Sequence, residues 1–154
     1  MFQTNAHIAR RRGTNGTDRG EYLRQLVQEY EATKDLDSRQ QILANLANFA
    51  YDPINYDWLW QLNVVELFLN AITENDPLLK EFGMGGLANV CLESRHHSHI
   101  VSEPYYIRAI MACILEDSPS CTDNTIVNAM TTLMFLITPE SQSSMLNSRL
   151  KSCV

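Results

Sequence analysis

Apolar positions in this chain recur in blocks at a nearly constant spacing. The run 46–50 (LANFA) is matched by 87–91 (LANVC), and the segment 65–77 returns at 107–119. The second pair keeps an apolar face, an acidic end and a proline, Pro77 or Pro119, in step. Repeats of this length are typical of helical solenoids, in which a unit buries its apolar face only against its neighbours. The pattern therefore predicts an all-α protein built from stacked repeats.

Within each repeat, apolar side chains at three- and four-residue steps predict separate helices. Their starts are indicated by capping residues such as Asp18 and by the pairs Asp76-Pro77 and Glu103-Pro104, because proline suits a first helical turn. The predicted helices cover 18–33, a segment capped by Asp35, Asp37 or Ser38 that stops at Asp52-Pro53, then 56–62, 64–73, 77–91, 96–101, 106–115 and 122–137. A unit thus reads as a short, a middle and a long helix. This predicts an armadillo-type right-handed superhelical solenoid of about three repeats, since HEAT repeats use two helices.

Three glycines lie inside the long helix predicted for 77–91. Each of Gly83, Gly85 and Gly86 costs about 1 kcal/mol relative to alanine in a helix interior. We expect a neighbouring helix to approach closely there, and the approach of a ligand is the alternative.

Charge divides the chain into three regions. The segment 1–17 is expected to form a flexible basic arm, 18–138 the repeat domain and 139–154 a polar tail. The first 20 positions carry Arg10, Arg11, Arg12 and Arg19 against one aspartate, a net of +3, so 21–154 must carry −9 to give the total of −6. An acidic body repels phosphate and attracts basic protein segments. The arm is either a solvated terminus or a segment ordered by RNA or by an acidic surface.

Candidate chemistry is sparse. The four cysteines show no CxxC spacing, which favours structural thiols in a reducing compartment over a metal or redox site. His96, His97 and His99 lie near Cys91 and Glu93, but the spacing matches no standard zinc site. There is no phosphate-binding loop, nucleophile elbow or HExxH motif. We therefore expect no enzyme, no cofactor and no metal, and neither a membrane span nor a signal peptide is indicated.

The run Gly86-Leu87-Ala88-Asn89-Val90 resembles the third helices of the armadillo repeat family, where an asparagine in the concave groove binds the main chain of an extended peptide. The resemblance implies that role for Asn48 and Asn89, whose amides are then expected to be free to bond a partner's main chain. The alternative is that each amide caps or bridges neighbouring helices. The third copy has Phe135 at this position. The tryptophan that usually precedes the asparagine is replaced by Ala47, Ala88 and Met134, so this chain departs from the groove of nuclear import receptors.

A longer run, 42–53 (ILANLANFAYDP), is similar to one small branch of this family, and the similarity extends from about 22 to 138. It implies a nuclear, non-enzymatic component of the minor spliceosome that works in pre-mRNA splicing. The implied partners are an RNA-binding motif protein 48-like protein, other spliceosomal proteins and, mainly through that partner, a small nuclear RNA. The resemblance ends at Pro139, whereas members of the branch continue with further helix.

The predicted partner-binding residues are Asn48, Asn89, Tyr51, Trp58 and Phe135. Tyrosine and tryptophan are common interface anchors, so we expect Tyr51 and Trp58 to be partly exposed, with Phe49 and one tryptophan in the core. Two alternatives stay open at this point. The chain is either a general armadillo peptide-binding adaptor or a subunit that contacts RNA directly through Arg10, Arg11, Arg12 and Arg19.

Overall fold

The computed structural model describes residues 18–115 and 119–137, and this part of the chain folds into eight α-helices and one 3-10 helix, without strands. The helices are α1 (Arg19–Ala32), α2 (Leu36–Ala50), the 3-10 helix (Pro53–Asn55), α3 (Tyr56–Gln61), α4 (Val64–Ala71), α5 (Pro77–Val90), α6 (Ser94–Ser102), α7 (Pro104–Leu115) and α8 (Asp123–Leu136). The predicted all-α solenoid of armadillo type is confirmed. The predicted arm, 1–17, and tail, 139–154, lie outside the described residues.

Local capping explains where the long helices begin. The carboxylate of Asp35 accepts a hydrogen bond from the Ser38 amide at 2.8 Å, and that of Asp76 accepts one from the Leu79 amide at 2.8 Å. Such caps satisfy backbone donors that have no partner within the helix. Pro77 occupies the first turn of α5, as predicted.

The predicted start of α6 at residue 96 is wrong by two positions. The helix begins at Ser94 because the carboxylate of Glu93 accepts hydrogen bonds from the amides of Arg95 and His96, at 3.0 and 3.1 Å. Glutamate is a less common cap than aspartate or serine, so the start rule did not select it.

The long helices α2, α5 and α8 lie side by side, and each packs against the middle helix of its own unit, α1, α4 or α7. Units two and three have the predicted short, middle and long helices, and unit one contributes α1 and α2 to the described region. The core lies between the two layers and includes Leu43, Phe68, Met84 and Ile110.

Two of the three glycines are explained by close helix packing. A Cβ atom on Gly83 would lie 2.9 Å from the Ala71 Cβ, and one on Gly86 would overlap the Phe68 ring. Both contacts are with α4, so the prediction of close approach is confirmed at these two positions. Gly85 instead faces the surface between α5 and α8, where the nearest side-chain atom belongs to Asn128 at 3.6 Å.

Candidate functional site: a groove along the long helices

A surface groove of about 250 Å³ runs across the three long helices. It is lined by Ala44, Ala47, Asn48, Glu81, Phe82, Gly85, Asn89, Asn124 and Asn128. Because the helices are stacked in register, both asparagines predicted from the repeat line this one groove. We refer to this set of residues as the groove below.

Four amide side chains dominate the groove. The amides of Asn48 and Asn128 make no hydrogen bond within the described part of the chain, so each offers donors and an acceptor to a ligand. Asn128 was not predicted, because the repeat alignment placed Phe135 at the corresponding position of α8. The available signal was the pair Asn124 and Asn128, one helical turn apart on one helix face.

Asn89 is only partly free. Its Nδ2 donates a hydrogen bond to the Ala47 carbonyl at 3.0 Å, and its own backbone carbonyl accepts one from the Tyr56 hydroxyl at 2.9 Å. The expectation that the amide is free to bind a partner is therefore wrong for this residue, because the side chain ties α5 to α2.

Among the described residues, Glu81 is the only charged side chain that lines the groove. Its carboxylate accepts hydrogen bonds from the Thr122 hydroxyl at 2.6 Å and from the Asn124 amide at 3.0 Å. These bonds hold the carboxylate at the junction of α5 and α8. The groove therefore presents amides and one negative charge, which suits the main chain of a neutral or basic segment.

The predicted aromatic residues lie outside the groove. Tyr51, after α2, is 78% exposed, and Phe135, at the end of α8, is 36% exposed. Trp58 is half-buried, because it packs against the core and against Gly20. Trp60 is 37% exposed, so the expectation that one tryptophan is fully in the core is wrong.

Phe49 is half-buried rather than fully buried, because its ring packs beside Tyr22 with centroids 5.7 Å apart. Among the predicted RNA contacts, Arg19 begins α1 and its guanidinium lies 3.4 Å from the Asn55 side-chain oxygen. Arg10, Arg11 and Arg12 lie outside the described residues.

A larger cavity, of about 420 Å³, lies beside the turn between α1 and α2 and contains none of the predicted site residues. Its wall includes Arg39, which binds Glu74 at 2.5 Å and donates a hydrogen bond to the Tyr30 hydroxyl at 3.1 Å. Arg39 and Glu74 neutralise each other, whereas Glu31 and Lys34 in the same wall make no ion pair within the described ranges. The smaller groove is the candidate site because it contains the asparagines that the repeat predicts.

The histidine and cysteine residues of the described ranges were weighed above as a metal site. No cluster of three or more His, Cys, Asp or Glu side chains is arranged there to hold a metal ion. Burial raises the pKa of the Cys91 thiol to about 11, which keeps it protonated and unreactive near neutral pH. In residues 18–115 and 119–137, no helix combines the length and apolar character needed to cross a membrane.

Comparison with known proteins shows which proteins this chain is similar to. No protein-family model matches the chain. Armadillo repeat-containing protein 7 of Mus musculus is 42% identical over 122 residues, which is 79% of this chain and 59% of the mouse protein. The chain thus spans somewhat more than half the length of that relative. The chain is therefore similar in sequence to an armadillo repeat protein, and it folds as an armadillo-type helical solenoid.

Proposed function

We propose that this protein is a non-enzymatic scaffold that binds an extended segment of a partner protein in the groove. The observation that carries this proposal is the row of side-chain amides that all three long helices contribute to the groove. Two of these amides, those of Asn48 and Asn128, make no hydrogen bond to other described residues. An extended main chain has unpaired N–H and C=O groups at regular spacing, which side-chain amides can satisfy on both sides.

The partner segment is expected to be basic or uncharged. Glu81 supplies the negative charge of the groove, and the segment 21–154 carries a net charge of −9. Complementary charge raises the association rate and discriminates against acidic segments.

We further propose that the protein works in the nucleus, in the minor spliceosome, with an RNA-binding motif protein 48-like partner. This assignment rests on the resemblance of the run 42–53 to one small branch of the armadillo repeat family. The acidic body favours a division of labour in which the partner supplies most contacts to small nuclear RNA.

Calorimetric titration with purified RNA-binding motif protein 48 tests the groove. The double variant Asn48→Ala, Asn128→Ala is expected to bind about tenfold or more weakly, because two amides no longer pair with the partner's main chain. The matched control is Asn45→Ala, which removes an exposed amide of α2 that does not line the groove. Equal binding by the double variant and the control would remove the groove from the proposal.

The same titration with RNA added separates the two sources of RNA affinity. If the partner supplies the phosphate contacts, replacing Arg10, Arg11 and Arg12 by glutamine leaves the salt dependence of RNA binding unchanged. A reduced salt dependence in that variant would instead identify the arm as an RNA-binding segment.

A further inference from the structure

Some apolar positions that are buried in the long helices α2 and α5 are exposed at the equivalent positions of α8. The register aligns Leu46 of α2 with Leu87 of α5 and with Leu133 of α8. At two positions, the first two copies are fully buried and the third is about half exposed. These are Leu43, Met84 and Met130 (57% exposed) for one position, and Ala50, Cys91 and Ile137 (51% exposed) for the other. The corresponding surface of α8 is therefore uncovered in the described part of the chain.

A second comparison concerns the side chain that joins one long helix to the start of the next. Gln40 of α2 donates a hydrogen bond to the capping residue Asp76 of α5, at 3.0 Å. At the equivalent position of α5, Glu81 binds the capping residue Thr122 of α8. In α8 this position is Val127, which is apolar and 59% exposed. The polar link between long helices is thus replaced by an apolar contact surface.

The middle helices show the same difference. Leu69 of α4 and Ile72, which directly follows this helix, are buried. Their equivalents in α7 are Met111 and Ile114, and both are only half-buried. The uncovered surface therefore spans α7 as well as α8.

Charge adds a specific feature to this surface. Glu66 of α4 reaches the third unit, where its carboxylate accepts a hydrogen bond from the Tyr106 hydroxyl at 2.8 Å and lies 2.5 Å from the His99 ring. The equivalent residue of α7 is Arg108, which is exposed and makes no ion pair within the described ranges. A partner that packs against this position is expected to place a carboxylate opposite Arg108, because arginine forms strong charge-assisted hydrogen bonds with carboxylates.

We infer that this surface, formed by Arg108, Met111, Ile114, Val127, Met130 and Met134 and here called the end face, binds an amphipathic helix of a partner protein that carries a carboxylate opposite Arg108. It is distinct from the groove and shares no residue with it. The partner helix packs against the end face much as α5 packs against α2 and α8 packs against α5.

The spacing of the exposed residues indicates a helix. Val127, Met130 and Met134 of α8 follow one another at steps of three and four, which is the spacing of a seam that a second helix packs against in a coiled coil. Methionine side chains are flexible and polarisable, so they adapt to a partner's apolar side chains.

A second copy of this chain fits the end face less well than a partner helix. Head-to-tail stacking would bring polar side chains against it, because the exposed positions of α1 and α2 are mostly polar. They include Arg24, Gln25, Gln28, Glu29, Gln41 and Asn45. A two-fold contact of the end face with itself provides no carboxylate for either copy of Arg108, because the face contains none.

The test uses the full chain and two synthetic helical peptides labelled with fluorescein, each about five helical turns long so that the helix can form. Both peptides carry leucine at coiled-coil core positions, and they differ only in having glutamate or lysine at the flanking positions. Fluorescence anisotropy is expected to show saturable binding of the glutamate peptide, at least about fivefold tighter than that of the lysine peptide. The Arg108→Glu variant should reverse this preference.

The apolar part of the end face is tested with the double variant Met130→Glu, Met134→Glu, which should weaken binding of the glutamate peptide at least about tenfold. Leu92→Glu, at an exposed apolar residue elsewhere, is the matched control and should bind normally. The groove variant Asn48→Ala, Asn128→Ala should also bind the peptide normally, so that failure of the groove and failure of the end face are distinguished.

Three outcomes would overturn the inference. One is that neither peptide binds the folded chain, as expected if residues 138–154 cover the end face. Another is binding that survives the double methionine variant or ignores the charge at residue 108. The third is a dimer, detected by sedimentation, that Met130→Glu dissociates, since this would identify a second copy as the occupant.

Discussion

Gly85 and Gly86 are neighbours in α5 but meet different surroundings. Gly86 points at the Phe68 ring, whereas the nearest contact of a Cβ at Gly85 would be the Asn128 side chain at an ordinary van der Waals distance. A methyl group is therefore sterically excluded at Gly86 and accommodated at Gly85.

We predict opposite effects for the two alanine substitutions. Gly86→Ala should lower the free energy of unfolding by about 1 to 3 kcal/mol, because the new methyl group forces α5 away from α4. Gly85→Ala should raise it by up to about 1 kcal/mol, because alanine favours the helix. Urea denaturation of both variants checks the pair. If the two substitutions have the same sign, the packing of α5 described above is wrong.

His96 is the buried titratable group of α6. Its Nδ1 lies 2.8 Å from a carboxylate oxygen of Glu93, but neither ring nitrogen completes a hydrogen bond of good geometry with the described residues. The ring packs edge-on against Tyr56 and Trp60. Burial lowers the pKa of His96, and the Glu93 carboxylate only partly opposes this effect, while Arg95 and His99 reinforce it.

The lowered pKa of His96 predicts loss of stability on acidification. The unfolded chain, with a histidine pKa of about 6.5, binds a proton more readily than the folded chain does. The contribution of the neutral ring is therefore fully present above a pH of about 6.5 and declines as the pH falls toward the folded-state pKa of His96. Thermal unfolding between a pH of about 7.5 and about 5 should show this decline. His96→Gln should flatten it, and the control His97→Gln should leave it unchanged.

Among the elements, helix starts were predictable where the capping signal is local. Asp35, Asp76 and Thr122 cap α2, α5 and α8 within three residues of their hydrogen-bond partners, so sequence order alone specifies the contact. Trp58 is half-buried, in line with its expected partial exposure, but its packing partner was not predictable in this way. Trp58 packs against Gly20 of α1, although the whole of α2 separates the two residues in the sequence. No periodic pattern predicts a contact over that distance.

Glu81 joins α5 to α8 and also lines the groove. Glu81→Ala should lower the free energy of unfolding by about 1 to 2 kcal/mol, because Thr122 and Asn124 lose their acceptor. Glu81→Gln keeps one acceptor oxygen and should cost less. Hydrogen exchange should then accelerate in α8 more than in α2, and uniform acceleration across all helices would argue against a local link.

For the whole molecule, the repeat register located part of the groove but not all of it. Asn48 and Asn89 were found because the runs LANFA and LANVC place them at the same point of α2 and α5. The spacing from α5 to α8 is longer, and the amide that completes the groove, Asn128, lies about two turns before the aligned Phe135. The offset of 46 is structurally correct, because it keeps the capping residues Asp76 and Thr122 in step. The groove crosses the stacked helices obliquely, so it takes Asn128 from an earlier turn of α8 than the one that matches Asn89.

Binding of a partner protein is expected to raise the free energy of unfolding of the whole molecule. The end face is apolar and exposed, and solenoids need polar terminal surfaces, so the chain alone should melt early and broadly. A partner that binds only the folded state, present at about a hundredfold excess over its Kd, stabilises it by about 2.7 kcal/mol. For a domain of this size, this corresponds to a rise in Tm of roughly 5 to 10 °C. Calorimetry of the chain with and without RNA-binding motif protein 48 measures the shift, with the groove variant Asn48→Ala, Asn128→Ala as control. A sharp transition of the chain alone that the partner does not move would contradict the scaffold function.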